Sequence, residues 1–333
     1  VGFLSYFGVW NFNLLPSMNI GIDMMGGDYA PLEAIKGIQL YQLESAHPAH
    51  LVLLGDEEKI KPLLVEQGLD EKELRIVNAP QTIGMHEHPT KALKEKPQSS
   101  ISVGFHLLSS GKIDAFISAG NTGAMLVGAL YSIRAIEGVS RPTIGAYMPR
   151  ENGKLGLMID AGINADCKPE NLVQFAILGS LFAQYILNIN QPRVGLINIG
   201  EEEGKGNLLT QATYPLLKER TDLNFIGNIE GRDIFLDKSD VMVCEGFTGN
   251  VILKLAESVY DVVQRRKIKD EYFDRFNFEE YGGVPVLGVS KPVIIGHGIS
   301  HATAFKNMIN LSQKMIEIDL MSKIKESFDA KAG

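Results

Sequence analysis

Five short stretches of this chain set glycine beside asparagine, aspartate or threonine just after an apolar run. They are Met25-Gly26-Gly27-Asp28, Ser118-Ala119-Gly120-Asn121-Thr122-Gly123, Asp160 to Asp166, Gly200 to Asn207, and Glu245-Gly246-Phe247-Thr248-Gly249-Asn250. Glycine lets backbone N–H groups approach an anion closely, and a helix opening at such a turn adds partial positive charge. The chemistry on offer is the binding of phosphate or of a developing oxyanion. A single loop of this kind more often only caps its helix. Five of them make ligand contact by at least two the expectation.

The most pointed is Gly204-Lys205-Gly206-Asn207, an ammonium between two glycines where a helix begins. That combination suits phosphate, and it equally suits an exposed turn whose lysine faces water. His297 stands between Gly296 and Gly298 at the end of an apolar run, where its ring reaches a cleft or is satisfied locally. Several other strings exclude themselves. There is no Gly-x-x-x-x-Gly-Lys-Ser/Thr loop, no Gly-x-Gly-x-x-Gly after the first strand and no Gly-x-Ser-x-Gly elbow. His86-Glu87-His88 lacks a third ligand at metal-site spacing and precedes Pro89, so it reads as a solvated loop. Cys244 ends an apolar run and reads as a core thiol; Cys167 reads as a loop cysteine beside a helix start.

Strand ends must hold these loops. Runs with strand character are Asn19–Met24, His50–Leu54, Leu74–Asn78, Ala115–Ser118, Thr143–Met148, Leu155–Ile159, Arg193–Ile199, Asn224–Gly227, Val241–Cys244 and Val293–Gly296. Between most of them lie stretches with apolar residues three and four apart, such as Pro31–Leu43, Glu57–Gln67, Ser100–Leu108 and Leu172–Ile186. This alternation predicts a three-layer α/β/α fold on a mainly parallel sheet, where ligands bind outside the strand C-termini. Thr143–Met148 and Leu155–Ile159 flank a polar turn containing Asn152-Gly153, which predicts an inserted β-hairpin. A division into two lobes is expected there, near residue 150. The stretch from His301 to Phe328 reads as one long helix or two broken ones.

The chain has 333 residues, enough for a large core, with 45% hydrophobic and 22% charged residues. Asp and Glu outnumber Lys and Arg by 40 to 32, for a formal charge of −8, which argues against a general nucleic-acid binder. Two cysteines form no disulfide framework, so a reducing, cytoplasmic setting is expected. No apolar run reaches the length of a membrane span. Val1–Ser17 carries no Lys, Arg, Asp or Glu and holds the only tryptophan, Trp10. It lacks the positive leading region of a secretory signal and reads as an extension preceding a single domain over 18–333.

Taken in order, Gly21 to Asp28, Ser118 to Ala124, Asp160 to Leu172, Asn198 to Asn207, Gly227 to Asp233, Gly246 to Asn250, Tyr281-Gly282-Gly283 and His297-Gly298 resemble the bacterial phosphate acyltransferase family, PlsX. The match covers about Met18 to Asn310. Lys94 stands where the family carries Arg, and Ile299 where it carries Ser. The resemblance implies a homodimer related in fold to phosphotransacetylases and to isocitrate and isopropylmalate dehydrogenases. It implies transfer of a fatty acyl group from acyl carrier protein (ACP) to inorganic phosphate, giving acyl phosphate for phospholipid synthesis. It also implies peripheral association with the inner face of the cell membrane, beside the glycerol-3-phosphate acyltransferase that consumes the product.

Phosphate is itself a nucleophile, so such a transfer needs no covalent enzyme intermediate, no metal and no cofactor. On this reading Lys205 and the amides of Gly204, Gly206 and Asn207 take phosphate. Asn121 and Thr122, with Gly27 and Gly120, supply neutral donors. Asp28 or His297 manages a proton, and Asn164, Lys168, Gly249 and Asn250 are further binding candidates. Three rivals stay open: an acyl-CoA phosphotransacetylase, an NAD-dependent decarboxylating dehydrogenase and a membrane-surface scaffold. The dehydrogenase would want clustered aspartates and several arginines, which the loops lack. The scaffold rests on the basic run Gln264 to Lys269, which fits a helix C-terminus better than a lipid contact.

Overall fold

A computed structural model describes residues 18–70 and 74–329; Val1–Ser17, read above as an extension, lies outside the described residues. In chain order the strands are β1 (Asn19–Asp23), β2 (His50–Gly55), β3 (Arg75–Asn78), β4 (Ala115–Ser118), β5 (Thr143–Pro149), β6 (Leu155–Ile159), β7 (Arg193–Asn198), β8 (Asn224–Glu230), β9 (Val241–Val243), β10 (Gly283–Leu287) and β11 (Val293–Gly296). The helices that bear on the site are α1 (Leu32–Glu44), α2 (Glu57–Glu66), α3 (Pro89–Glu95), α4 (Ser100–Ser109), α5 (Thr122–Gly128), α6 (Pro169–Tyr185), α7 (Leu208–Lys218) and α8 (Gly246–Arg265). A short α9 (Glu271–Asp274) precedes β10. The C-terminal stretch is two helices, α10 (Ala302–Glu317) and α11 (Leu320–Asp329).

The eleven strands among the described residues join one sheet, in the order β3-β2-β1-β4-β11-β10-β5-β6-β9-β7-β8. The expected α/β/α layering follows from how its strands are buried. In β2, Leu51 and Leu53 enter the core on one face while Val52 and Leu54 enter the core on the other. A strand covered on both faces is apolar throughout, which is why this run reads as a continuous hydrophobic stretch. One core is built with α1, α6, α10 and α11, the other with α4, α5 and the underside of α8.

The sequence pattern misses β10. Its segment contains Gly283 and Pro285, and proline inside a run argues against a strand because it cannot donate to the ladder. The omission matters for topology. β10 is antiparallel to both β11 and β5, and β5 is antiparallel to β6, as the Asn-Gly turn predicts. Three successive reversals invert the direction of the sheet. The block β3-β2-β1-β4-β11 is internally parallel, β6-β9-β7-β8 is internally parallel, and the two blocks run opposite ways. Loops after β1, β4 and β11 therefore leave one edge, and loops after β6, β7 and β9 leave the other.

Buried charge ties the hairpin to the second block. Arg150, almost wholly buried, places Nη1 2.7 Å from Asp240 and 2.9 Å from Asp237. Arg193, at the start of β7, meets the same Asp240 through Nε at 2.9 Å.

Candidate functional site

The two loop edges are joined by a cavity of about 380 Å³ that lies beneath α8. Ile144, Ala146 and Met148 of β5, Val284 of β10 and Ile295 of β11 form an apolar floor, and Leu253 and Ala256 line the roof. Phe276, Phe278 and Tyr281 close one side. α8 also contributes Asn250, Lys254 and Glu257 to the wall. These residues are spaced i, i+4, i+7 and so share one face. Seven residues of helix span roughly 10 Å, which sets the distance between the two ends of this polar line.

At the first end, the chain grips itself closely. Asp23, the last residue of β1, is fully buried; its carboxylate accepts the Met25 N–H at 3.0 Å and the Ser118 hydroxyl at 2.6 Å. Ser118 Oγ in turn accepts the Gly120 N–H at 2.9 Å, so one buried acid holds the loops after β1 and β4 together. Burial pushes the Asp23 carboxyl up, against hydrogen bonds from Ser100, Ser118, Met25 and Gly26 that lower it. The Asp28 N–H donates to the Gly298 carbonyl at 2.7 Å, which brings the β1 loop against His297-Gly298. Thr122, Met85 and His297 line the cavity here. His297 Nε2 stands 3.1 Å from Glu257 Oε1, and its ring packs on Phe278 with centroids 4.5 Å apart. Lys254 Nζ lies 2.7 Å from the other Glu257 oxygen.

At the second end, Asp160 organises its own loop. Its buried carboxylate accepts the N–H groups of Gly162, Ile163 and Asn164 at 2.8–3.0 Å, and the Asn164 side-chain amide at 2.7 Å. Gly249 packs directly on this turn: a Cβ there would lie 1.8 Å from the Asp160 carbonyl oxygen, so no larger residue fits without moving α8. Glu245 caps α8 by accepting the Thr248 N–H at 3.0 Å, leaving Asn250 exposed at the cavity wall. Ala161 completes this end.

The chain matches known proteins along almost its whole length. A family model described as "Fatty acid synthesis protein" covers residues 18–323. A phosphate acyltransferase of Dictyoglomus turgidum is 41% identical over 94% of this chain and 98% of its own. One from Aquifex aeolicus is 45% identical, with 92% and 96% covered. The chain belongs to the phosphate acyltransferase family. These are acyltransferase enzymes, and the expected resemblance is met. Among solved structures, a phosphotransacetylase from Streptococcus pyogenes superposes with a TM-score of 0.66 at 18% identity, covering 90% of this chain and 94% of that one. A branched-chain phosphotransacylase from Enterococcus faecalis V583 gives 0.55 at 13%, with 90% and 99% covered. The phosphotransacetylase-like fold expected from the sequence is thereby shown.

In this phosphate acyltransferase family member the predicted site residues fall into two groups. Gly27, Asp28, Gly120, Asn121, Thr122 and His297 gather at the first end. Asn164, Lys168, Gly249 and Asn250 belong to the second, with the loop of Gly204, Lys205, Gly206 and Asn207 further along the same edge. That loop follows β7, two strands from β6, or roughly 10 Å across the sheet. It does not line the cavity. Lys205 is exposed, and its acidic neighbours are engaged elsewhere: Glu201 with Lys238 at 2.5 Å and Glu203 with Lys218. Lys168 is also exposed, at the opening of α6.

Two readings need adjustment. Asn121 is only 4% exposed and fully employed. Its Oδ1 accepts the Ala124 N–H at 2.9 Å as the cap of α5, and its amide donates to the carbonyls of Gly84, Met85 and Glu87 at 2.9–3.2 Å. An amide with both hydrogens committed positions the 84–87 loop at the cavity wall rather than donating to phosphate. Likewise Asn164 spends its amide on Asp160 and on the Pro142 carbonyl. Glu87, read with His86 and His88 as a solvated loop, accepts the Gly84 N–H at 2.7 Å and pairs with Lys96 at 2.5 Å.

No motif in the sequence singles out Lys254, Glu257 or Phe278. Lys254 and Glu257 resemble any exposed i, i+3 ion pair on an amphipathic helix, and the contact that matters, with His297, spans forty positions. Burial and nearby carboxylates push Cys244 well up, and burial pushes Cys167 up to about 11, so both are protonated at neutral pH. No helix among the described residues is long and apolar enough to cross a membrane.

Proposed function

We propose that this chain transfers a fatty acyl group from acyl-ACP to inorganic phosphate, releasing acyl phosphate for phospholipid synthesis. The observation that carries this reading is the polar line Asn250–Lys254–Glu257, which crosses an apolar cavity and ends on His297. The acyl tail lies on the floor of β5 and β10 against Phe276 and Tyr281, where each buried methylene contributes about 0.8 kcal/mol. Phosphate is held toward the Asn250 end, with Lys205, Lys168 and the Gly204–Asn207 amides as its cationic and N–H partners. The carbonyl carbon sits between, and the leaving sulfur faces His297, Thr122 and Gly298.

Direct attack accounts for every atom. An oxygen of HPO₄²⁻ bonds to the acyl carbon, the C–S bond breaks, and the thiolate takes a proton from His297. The acyl phosphate then returns its own proton to the imidazole or to water. No acyl-enzyme forms. Catalysis on this scheme is positioning plus electrostatic stabilisation of the developing oxyanion.

The functional unit on this reading is a homodimer that meets the membrane peripherally, beside the glycerol-3-phosphate acyltransferase that consumes its product. Phe247, Val251 and Leu255 project exposed from α8 at four-residue spacing, followed by exposed Val262, Arg265, Arg266, Lys267, Ile268 and Lys269. Apolar side chains leading into a basic run suit an anionic lipid surface.

Purified protein given phosphate and matched acyl-ACP and acyl-CoA donors tests the assignment. Acyl phosphate is expected from acyl-ACP and not from acyl-CoA. Comparable kcat/KM for the two donors would reassign the chain as an acyl-CoA phosphotransacetylase.

A further inference from the structure

Glu257 has an unusual position for a carboxylate on an amphipathic helix. Its Oε1 is buried and has no hydrogen-bond partner of standard geometry among the described residues. One nitrogen, His297 Nε2, stands close to it, at 3.1 Å. The second oxygen is held by Lys254 Nζ at 2.7 Å, which fixes the rotation of the carboxylate. On its other side the imidazole rests against the Phe278 ring, so the histidine is confined between a carboxylate and an aromatic face. The remaining titratable groups on the cavity wall are Tyr147 and Tyr281, and burial pushes both phenols up, so neither is a charged neighbour near neutral pH.

A buried carboxylate oxygen is costly without a donor, and a charged donor satisfies it best. Burial pushes the Glu257 carboxyl up, yet the His297 and Lys254 contacts outweigh burial and hold it below its usual range. The carboxylate is therefore held as an anion between Lys254 and the imidazole. Turned onto Oε1 from its 3.1 Å distance, an Nε2–H satisfies the orphaned oxygen, which favours the tautomer with hydrogen on Nε2 and leaves Nδ1 to exchange a proton with a ligand. When Nδ1 is also protonated, the same carboxylate stabilises the imidazolium.

We infer that Glu257 is the positioning residue for His297, fixing its ring and tautomer so that Nδ1 delivers the proton to the departing thiolate. This rests on the acyl-transfer reading above and adds to it the residue that makes the histidine competent. The proton moves from His297 Nδ1 to the sulfur as the C–S bond breaks, and the imidazole is recharged from acyl phosphate or water. Glu257 itself gains and loses nothing. Lys254 acts one step further out, by orienting Glu257.

The test uses the full chain with acyl-ACP and inorganic phosphate. Glu257→Gln keeps an acceptor near Nε2 but removes the charge. It is expected to lower kcat on the order of 10²-fold, within the range for disabling one general acid, while KM for phosphate and for donor changes less than about twofold. In a His297→Ala background the same change is expected to have no further effect, since nothing remains to position. Glu257→Asp should recover part of the loss. Imidazole nitrogen NMR should report a single Nε2–H tautomer for His297 in the parent protein and a mixture in Glu257→Gln. Unchanged kcat in folded Glu257→Gln would overturn the inference. So would an equal further loss in the His297→Ala background, which would make Glu257 a structural residue only. If the parent protein forms no acyl phosphate, the acyl-transfer reading itself fails, an outcome distinct from either.

Discussion

Asn121 and Asn207 do the same local job in opposite surroundings. Each follows a glycine-containing turn after a strand, and each caps a helix by accepting an N–H at 2.9 Å, from Ala124 and Thr210 respectively. Beyond the cap they diverge. Asn121 is buried, its amide is spent on three carbonyls of the 84–87 loop, and its neighbour Thr122 lines the cavity. Asn207 is exposed, and the turn before it is held by its own segment: the Gln211 amide donates to the carbonyls of Gly204 and Gly206 at 3.0–3.1 Å. The comparison teaches that a capping asparagine marks where a helix starts but says nothing of whether the turn is locked into a core or left open to ligand.

The largest expected effect comes from the open loop. Lys205→Ala should raise the phosphate KM and lower kcat together, by a combined factor of roughly 10²–10³, as for loss of one preorganised electrostatic partner. Its melting temperature should be unchanged, because the ammonium makes no ion pair among the described residues. Lys205→Arg should recover only part of the activity, since a fork of donors replaces a compact charge. Unaltered phosphate kinetics in folded Lys205→Ala would return the loop to an exposed helix-opening turn.

At the locked loop the expected loss is in stability. Asn121→Ala removes a cap and strands three carbonyls, which should cost roughly 2–3 kcal/mol in denaturant titration. Asn207→Ala removes only an exposed cap and should cost about 1 kcal/mol. Equal losses at the two sites would erase the distinction drawn between them. The double change Cys167→Ala, Cys244→Ala is expected to cost about as little and to keep most turnover; an acyl thioester trapped on either cysteine would end the direct-attack scheme.

Acid offers the subtlest separation. The hydrogen bonds from Lys96 and then from the Gly84 N–H hold Glu87 below its usual range. A carboxylate lowered in the folded state contributes stability above its unfolded pKa of roughly 4.3 and loses it as pH falls through the folded value. Glu203 is lowered mainly by its hydrogen bond from Lys218, a side chain rather than the loop backbone. As pH falls through the lowered Glu87 value, therefore, hydrogen exchange at Gly84 should rise relative to its intrinsic rate as its acceptor is protonated. Exchange across Gly204–Gly206 should show no matching rise.

Much of the fold was legible in sequence because its signals are local. Short apolar runs bounded by glycine and polar turns mark ten of the strands, Asn152-Gly153 marks the reversal between β5 and β6, and the ordered loop motifs identify the family. β10 was hidden because Gly283 and Pro285 speak against a strand, and only pairing with β5 and β11 on either side overrides them. That one omission concealed the inversion of the sheet. Antiparallel pairing through β10 and β5 sends the five similar loops to two edges.

The site divides along the same line. Residue types by themselves determined that anion-binding turns, a free lysine and a histidine at a strand end were available, since glycine spacing and charge are properties of the chain. Only tertiary structure decided which of them meet. His297 finds Glu257 across forty residues, Asp23 reaches Ser118 across ninety-five, and Asn121 is claimed by the 84–87 loop. Such contacts arise when a helix is laid over a sheet and buried polar atoms must be satisfied by whatever lies within 3 Å. No pattern along one strand or helix encodes that partner.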